Sequence, residues 1–599
     1  MKVDSGKAIP VNHSTSYPAR LLFIDTETLP VQSGKYTKHT FRLAWTRDMR
    51  MSKDGALESD IWIFHKDALS VLRRIEAATR DETALTVYGH NLWFDLQVCG
   101  FFHDFPKWGW VLDFVYDEGL TYLLTIRNGS RSIRCVSTTN YFDFSLDILG
   151  REIGIAKLAV NFDRATASEL ATYCRRDVEI TTASVLKYIG FVKSHDSGRF
   201  SYTKASQAMN SFRHRFMRDR IFVHKEEDVQ ALERRAYFGG RTECFQLGKL
   251  TRGPFVFLDI NSMYPAVMRQ HTFPNRLLEW YPKADLALLS GWIGRASCVA
   301  SVTVETDSAA YPVRMNGKVC FPVGRFDTVL CSGGLERAAA RKELRACSEL
   351  AVYSRAPIFR SYVDYWYPLK AQYKAEGNAV YSRMVKLFLN SLYGKFGEKR
   401  FEEEMEEDWS GEDPWRRDCF SEATGERWIE QHLFNVTITR GEAIEGPRSC
   451  VAIAAHVTEY ARLLLWDIIA QTGRNRVLYC DTDSIVLREA DLQHVCHTID
   501  DKVLGSLSVD RATARLTLHG CKDYEIDQGS TIKGIPKRST KLSEGRYSYD
   551  QFLGAVSHLR LGAGAGVLTE PRVKSLARQY DKGEILRGGK VRPFHLGGS

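Results

Sequence analysis

The sequence predicts a multidomain chain in which an α/β unit precedes an α+β unit. Three observations lead there. At 599 residues the chain is too long for one ordinary hydrophobic core. Its early part alternates apolar strand-like runs with helix-like runs, as an α/β layer does. Its later part carries strands that end in aspartates and turn directly into helices or hairpins. With 44% hydrophobic and 26% charged residues, the composition is that of a folded protein and excludes a disordered chain.

The opening "MKVDSGKAIPVNHSTSYPAR" is polar, lacks the apolar core of a signal peptide, and is expected to be frayed. "RLLFIDTETLP" (20–30) reads as an apolar strand ending in acids and a proline. "ALTVYGHNLWFDLQVCGFF" (84–102) reads as a second strand, then a helix from near Asn91. "TASELATYCRRDVEITTASVLKYI" (166–189) has helical spacing and a Thr-x-x-Glu start. These three make one α/β unit.

A polar stretch near 193–206 follows, then the glycine pair of "YFGGRTECF" (237–245), a sharp turn. "GPFVFLDINSMYPAVM" (253–268) is a strand that ends at Asp259 and turns into a helix. Residues 362–397 read as two helices meeting at Gly377-Asn378. The acidic run "FEEEMEEDWSGEDPW" (401–415) is expected on a loop or insertion.

The longest apolar helical stretch, 451–470, is interrupted by His456, Glu459, Arg462 and Asp467, so it reads as an amphipathic packed helix and not a membrane span. Thirteen scattered cysteines give neither close-spaced zinc pairs nor a disulfide framework, and their odd number fits a reducing compartment. A cytoplasmic protein, bacterial or in a host cell, is expected. The net charge of +9 permits a polyanionic partner, and from Thr531 to Ser599 thirteen Lys/Arg face five Asp/Glu.

Two sets of carboxylates stand out. Asp25 and Glu27 share one face of a strand; Asp95 falls early in a helix, and Asp177 lies one turn after Tyr173. Gathered acids repel one another, and divalent cations relieve the repulsion. Two ions about 4 Å apart can activate water and stabilise the leaving oxygen of a phosphodiester, with Tyr173 orienting the water. A single Asp in such a place is ordinarily a cap or turn residue, so the ordered set carries the argument.

In the second set, "VLYCDTDSIVLRE" (477–489) places Asp481 and Asp483 at the tip of a hairpin, and Asp259 ends its own strand. If the tips meet, Asp259 and Asp483 hold two magnesium ions that activate a 3′-hydroxyl and grip a triphosphate. Asp481 is the supporting acid, and the Tyr479 ring packs beside the turn. Lys374, Lys386, Asn390, Tyr393 and Gly394, with Arg383 as a further candidate, offer donors and a ring for a nucleotide. A solvated basic face is the ordinary explanation of such a helix on its own.

Taken in order, these segments resemble the family B DNA polymerases. "DTE" (25–27), "NLWFD" (91–95) and "YCRRD" (173–177) are similar to the family's three 3′–5′ exonuclease motifs. "DINSMYP" (259–265), "KLFLNSLYG" (386–394) and "YCDTDS" (479–484) are similar to its three polymerase motifs. The resemblance implies an RNase H-like 3′–5′ exonuclease domain followed by a right-hand polymerase domain of palm, fingers and thumb. The implied spans are exonuclease 18–192, palm with a first insertion 200–355, fingers 356–397, second insertion and remaining palm 398–525, and thumb 526–599.

It also implies Asp25, Glu27, Asp95 and Asp177 as metal ligands of the exonuclease, and Asp259 and Asp483 as those of the polymerase. Each site would take two Mg2+ or Mn2+ ions, and the substrates would be dNTPs. Tyr264 would select deoxynucleotides, Lys374 and Lys386 bind the triphosphate, and Asn390 and Tyr393 contact the nascent pair.

Finer features resemble the protein-primed branch of small phage replicases. These are Tyr237, Gly239 and Gly240 in "YFGG", Ser145 and Leu146 in "FSLDIL", Lys157, Thr458 and Arg462 in "TEYAR", and Lys522 and Tyr524 in "CKDYEI", all implied DNA contacts. Insertions are expected at roughly 270–355 and 398–447, although the acidity of 402–408 departs from a DNA-gripping segment. The implied partners are template and primer DNA and a terminal priming protein, with the polymerase itself a monomer. The rivals are a family B polymerase that extends nucleic-acid primers or needs none, and a DNA-binding relative that has lost its chemistry.

Overall fold

Leu21–Ile24, fully buried, lies at the centre of a ten-stranded mixed sheet in the computed structural model, which describes residues 3–52, 55–79, 83–162, 164–562 and 564–597. The strand Arg20–Ser33 pairs antiparallel with Tyr36–Met51 and parallel with Leu85–Gly89, which pairs parallel with Arg131–Ser137. Strands covered on both faces need unbroken apolar runs, and "LLFI" and "LTVYG" supply them. The helices Leu92–Cys99 and Ala167–Ser194 pack on these strands. The longer one opens on a capping box: Glu169 N–H donates to Thr166 Oγ1 at 3.2 Å, and Thr166 N–H donates to the Glu169 carboxylate at 2.8 Å.

The second part is built on a five-stranded antiparallel sheet. Its order is Thr242–Cys244, Val477–Asp481, Ser484–Arg488, Phe255–Ile260, Leu507–Thr513. Two helices, Arg360–Ala375 and Ala379–Ser391, form the expected hairpin. Gly377 turns it at φ 71°, and the Asn378 side chain caps the second helix by accepting from Tyr381 N–H at 3.1 Å. The stretch between the Asp259 strand and these helices carries the sheet Phe273–Tyr281, Leu344–Ala356, Ser297–Thr306, Val323–Cys331, and residues 399–445 carry a separate four-stranded sheet.

Several segments depart from the expectations. The N-terminal segment is not frayed where it is described: Lys7–Ala8 pairs with Phe222–Val223, and Ile9 is buried. The short run Ala8-Ile9-Pro10-Val11 leaves no periodic signal. The polar stretch 193–206 is a packed joint, with His195 buried between tyrosines of the first hairpin helix. The acidic run begins as a strand, and only residues 408–414 form the expected loop. Lys399–Glu407 is an exposed edge strand held by its antiparallel neighbour Val436–Glu445, so pairing overrides the weak strand propensity of glutamate.

The helix Val451–Thr472 is buried nearly all round rather than amphipathic. Its polar residues serve neighbours: Glu459 accepts from the N–H groups of Cys331 and Gly334 at 3.0 and 2.8 Å, and Arg462 donates to the carbonyls of Phe238 and Gly239 at 2.7 and 3.1 Å. Among the described residues no helix is long and apolar enough to cross a membrane. All thirteen cysteines are free thiols.

The last segment is not one separate unit. Thr540–Ser543, Arg546–Phe552 and Val567–Ser575 extend the first sheet through Thr37↔Thr569, Lys38↔Leu568 and His39↔Val567. His595–Leu596 instead pairs parallel with Val323–Cys331. The 525/526 boundary falls inside the strand Asp523–Ile526. One continuous apolar core links both parts, running from Tyr88 and Phe191 through Trp366 and Phe388 to Ile260 and Ile485.

Candidate active sites

The first carboxylate set converges. Asp25 and Glu27 project from one face of Arg20–Ser33, and Cys174, from the Asp177 helix, donates its thiol to the Asp25 carbonyl at 3.2 Å. Ligand atoms of Asp25, Glu27 and Cys174 all lie within 4.8 Å of one another. Asp95 is locked by the Thr26 N–H at 3.0 Å and the Thr26 hydroxyl at 2.7 Å. Asp177 pairs with Lys157 through one oxygen; the other is buried and has no hydrogen-bond partner among the described residues. The Lys157 ammonium also sits over the Tyr173 ring, 4.6 Å from its centroid.

These acids are held against their ionisation. Burial, followed by the charges of Asp177, Asp95 and Glu27, pushes Asp25 well above the usual carboxylate range. Burial and then Asp177 push Glu27 up to about 8, and burial pushes Asp95 up to about 7 despite the Thr26 bonds. Burial also raises Asp177 against the pull of Lys157. An orphaned carboxylate oxygen among hard oxygen donors, with one lysine for four acids, is a donor set that fits divalent cations.

The second set meets at the tips of two neighbouring strands. Asp259 is the register partner of Ser484, and the Ile260 N–H donates to the Asp483 carbonyl at 2.7 Å. Burial, then Asp483, pushes Asp259 up to about 7, while Lys386 and Lys370 pull it down. Burial likewise raises Asp483. Two buried acids, Asp259 raised further by Asp483 and Asp483 by Asp481, with oxygen donors only, also fit divalent cations.

Asp481 is occupied otherwise. It accepts from the hydroxyls of Tyr479 at 3.2 Å, Thr482 at 3.1 Å and Thr242 at 3.3 Å, and lies 3.4 Å from the Lys522 ammonium. Thr482 sits at φ 61°, a conformation that a β-branched residue avoids, and its N–H donates to the Arg241 carbonyl at 2.7 Å. Arg241 is fully buried between Phe321 and Trp466 and paired with Glu243, so each charge satisfies the other. A Cβ on Gly240 would come within 2.9 Å of Thr482 Cγ2, so only glycine lets this loop approach the turn. Asn91 and Ser262, beside Asp95 and Asp259, also have positive φ.

Residues 155–412 match the family described as DNA polymerase type B, organellar and viral. The DNA-directed DNA polymerase of Enterobacteria phage PRD1 is 26% identical over 322 residues, 51% of this chain and 52% of that protein. The DNA polymerase of Bacillus phage phi29 is 24% identical over 433 residues, 67% of this chain and 68% of that protein. Phi29 DNA polymerase complexed with primer-template DNA superposes with a TM-score of 0.66 at 16% identity, covering 93% of this chain and 100% of that one. The chain spans about half the length of the PRD1 relative and about two thirds of the phi29 relative.

The remaining expected residues divide into three groups. One group lies in the segment after Asp259 and on or just after the Ala379–Ser391 helix. Tyr264 and Tyr393 stack with centroids 4.7 Å apart, and Lys386 and Asn390 are exposed on the Ala379–Ser391 helix. A lysine that the sequence reading passed over joins them. Lys370 lies 3.0 Å from Ser262 Oγ and 3.3 Å from Asn261 Oδ1, and burial together with Lys386 and Lys374 lowers its pKa. Lys374 stands one turn further out and is exposed. The i, i+4 spacing of the two lysines was visible; which of them reaches Asp259 was not.

A second group holds the glycine loop or reaches the acids. Tyr237 is partly buried, Gly239 is open, and Arg462 pins this loop by its carbonyls. Lys522 reaches Asp481, and Lys157 belongs to the first carboxylate set. The members of the third group have other partners or are enclosed. Arg383, expected at the triphosphate, pairs instead with Glu152. Ser145 caps its helix, and Leu146 is buried. The Thr458 hydroxyl is spent inside its own helix, and Tyr524 is enclosed against Phe257 and Tyr479.

Proposed function

We propose that the chain is a template-directed DNA polymerase that also removes nucleotides from 3′ ends. The observation that carries this reading is the pair of separate carboxylate clusters, each gathered from distant parts of the chain, within a fold shared with Phi29 DNA polymerase. Asp259 and Asp483 would hold the cations of synthesis, and Asp25, Glu27, Asp95 and Asp177 those of trimming. When bound, such divalent cations lower the pKa of the attacking oxygen and neutralise the departing one.

The chain's own groups do the rest. Lys370 and Lys386 place positive charge beside the Asp259–Asp483 pair, suited to a triphosphate. The stacked Tyr264 and Tyr393 rings would form a floor for the nucleotide's sugar and base, with Tyr264 excluding a 2′-hydroxyl. In the other site Tyr173, held by Lys157, orients the attacking water. Asp481 and the strained Thr482 fix the hairpin that presents Asp483. Template and primer DNA are the substrates.

Initiation from the hydroxyl of a terminal protein is the favoured start, supported by the resemblance of "YFGG" (237–240) and "TEYAR" (458–462) to the protein-primed branch. The test is incubation of the full chain with labelled dNTP and Mg2+, with and without a primed template and candidate partner proteins. Extension of the primed template is the expected result, as is label on a Ser, Thr or Tyr of a partner. Product without partner or primer would overturn protein priming, and no extension of any primer would overturn synthesis altogether.

A further inference from the structure

Arg383 is the cation that the nucleotide site leaves over. Its guanidinium makes a two-point pair with Glu152, Nε to Oε2 at 3.1 Å and Nη2 to Oε1, and lies over the Phe144 ring, 4.3 Å from the centroid. Glu152 belongs to the short helix Leu146–Ile153 of the first part of the chain. The pair therefore ties the Ala379–Ser391 helix, which bears Lys386, to the exonuclease-type layer.

The other helix of the hairpin is tied from the same side. His195 follows the long Ala167–Ser194 helix, and its Nδ1 lies 2.9 Å from the Tyr365 hydroxyl and its Nε2 2.7 Å from that of Tyr373. Residues 365 and 373 are eight apart on Arg360–Ala375, so they share the face presented to His195. A neutral imidazole has one donor and one acceptor, and two tyrosine hydroxyls satisfy both in either tautomer. Phe191, one turn back, packs on Trp366, Tyr381 and Phe388 with centroids 5.6, 5.1 and 5.5 Å away. The two hairpin helices are also joined to each other, since the Ser382 hydroxyl donates to the Lys370 carbonyl at 3.2 Å.

We propose that Glu152–Arg383 and His195–Tyr365/Tyr373 form a clamp through which the exonuclease-type layer positions Lys370 and Lys386 for the incoming nucleotide. The proposal rests on the polymerase reading above. It makes Arg383, Glu152 and His195 positioning residues, none of which touches nucleotide. The partly exposed ion pair contributes little to stability on its own; what two-point geometry fixes is orientation. Apparent affinity falls by the fraction of molecules in which the hairpin is correctly placed. Losing the clamp therefore raises the nucleotide KM while chemistry in the correctly placed fraction continues.

The experiment measures kcat and KM for single-nucleotide addition by the full chain on a primed template, with digestion of a single-stranded 3′ end as the control for folding. Failure of the wild-type chain to extend the primer would strike the polymerase reading, not the clamp. Given extension, Glu152→Gln and His195→Phe are expected to raise the nucleotide KM about fivefold or more, with kcat and digestion near wild type. His195→Gln, whose amide offers a donor and an acceptor, and the exchanged pair Glu152→Arg/Arg383→Glu should recover most of the affinity. A KM that stays unchanged or falls in the single variants overturns the clamp. Should Glu152→Gln also lose digestion, the exchanged pair decides: a recovered KM supports the clamp and a high one overturns it.

Discussion

Asp483→Ala is expected to cut primer extension by about a thousandfold, the scale at which one removed electrostatic group disables a preorganised site, while digestion of single-stranded 3′ ends continues at the wild-type rate. Asp483 sits at a hairpin tip beside Asp259, and both are raised by burial and, for Asp259, by Asp483 itself. Alanine there removes a cation ligand and one of two repelling charges. The folded state should lose nothing, and Asp259 should ionise more readily. Extension and digestion assays on the same preparation, with a thermal melt as the control, read the effect. Loss of both activities in a folded variant would show that the clusters are not independent.

Asp25→Ala combined with Asp95→Ala is expected to abolish digestion by a similar factor and leave extension intact. The error rate of the extended product should rise. The variant also has a pH signature. A carboxylate whose folded pKa lies above its unfolded value favours the fold at low pH and weighs against it as pH rises through the folded pKa. Asp95, at about 7, and Asp25, raised well above the ordinary carboxylate range, open that window from that range upward. Without divalent cations, the double variant should therefore melt at a higher temperature than wild type at pH 8, and the gap should close toward pH 4. Digestion that survives, or a wild-type error rate, would remove these acids from the site.

The parts of this account that were legible in the sequence are local ones. Two acids two apart on a strand share a face, and an Asp-Thr-Asp tip between strand-forming runs can only be a hairpin, so the carboxylates were readable before their partners were known. Thr166 and Glu169 announced a helix start in four residues. What was not legible depended on distance along the chain. Arg383 finds Glu152 across 231 positions, and no spacing rule forecasts that choice. Lys370 and Lys374 are equivalent on a helical wheel, and only the approach of Ser262 separates them. The extension of the first sheet by Val567–Ser575 joins residues more than five hundred positions apart. The acidic strand fooled propensity because its partner strand, with Thr437, Ile438 and Thr439, imposes the pairing.

The central claim is that acids drawn from five separate stretches of chain form two independent cation sites. Mn2+ binding followed by electron paramagnetic resonance, on the full chain without DNA, tests it most directly. The account predicts that Asp259→Ala/Asp483→Ala loses one class of bound Mn2+ and keeps the other, and that Asp25→Ala/Asp95→Ala does the reverse. Wild-type binding in either variant, or loss of all bound Mn2+ in one folded variant, would contradict it.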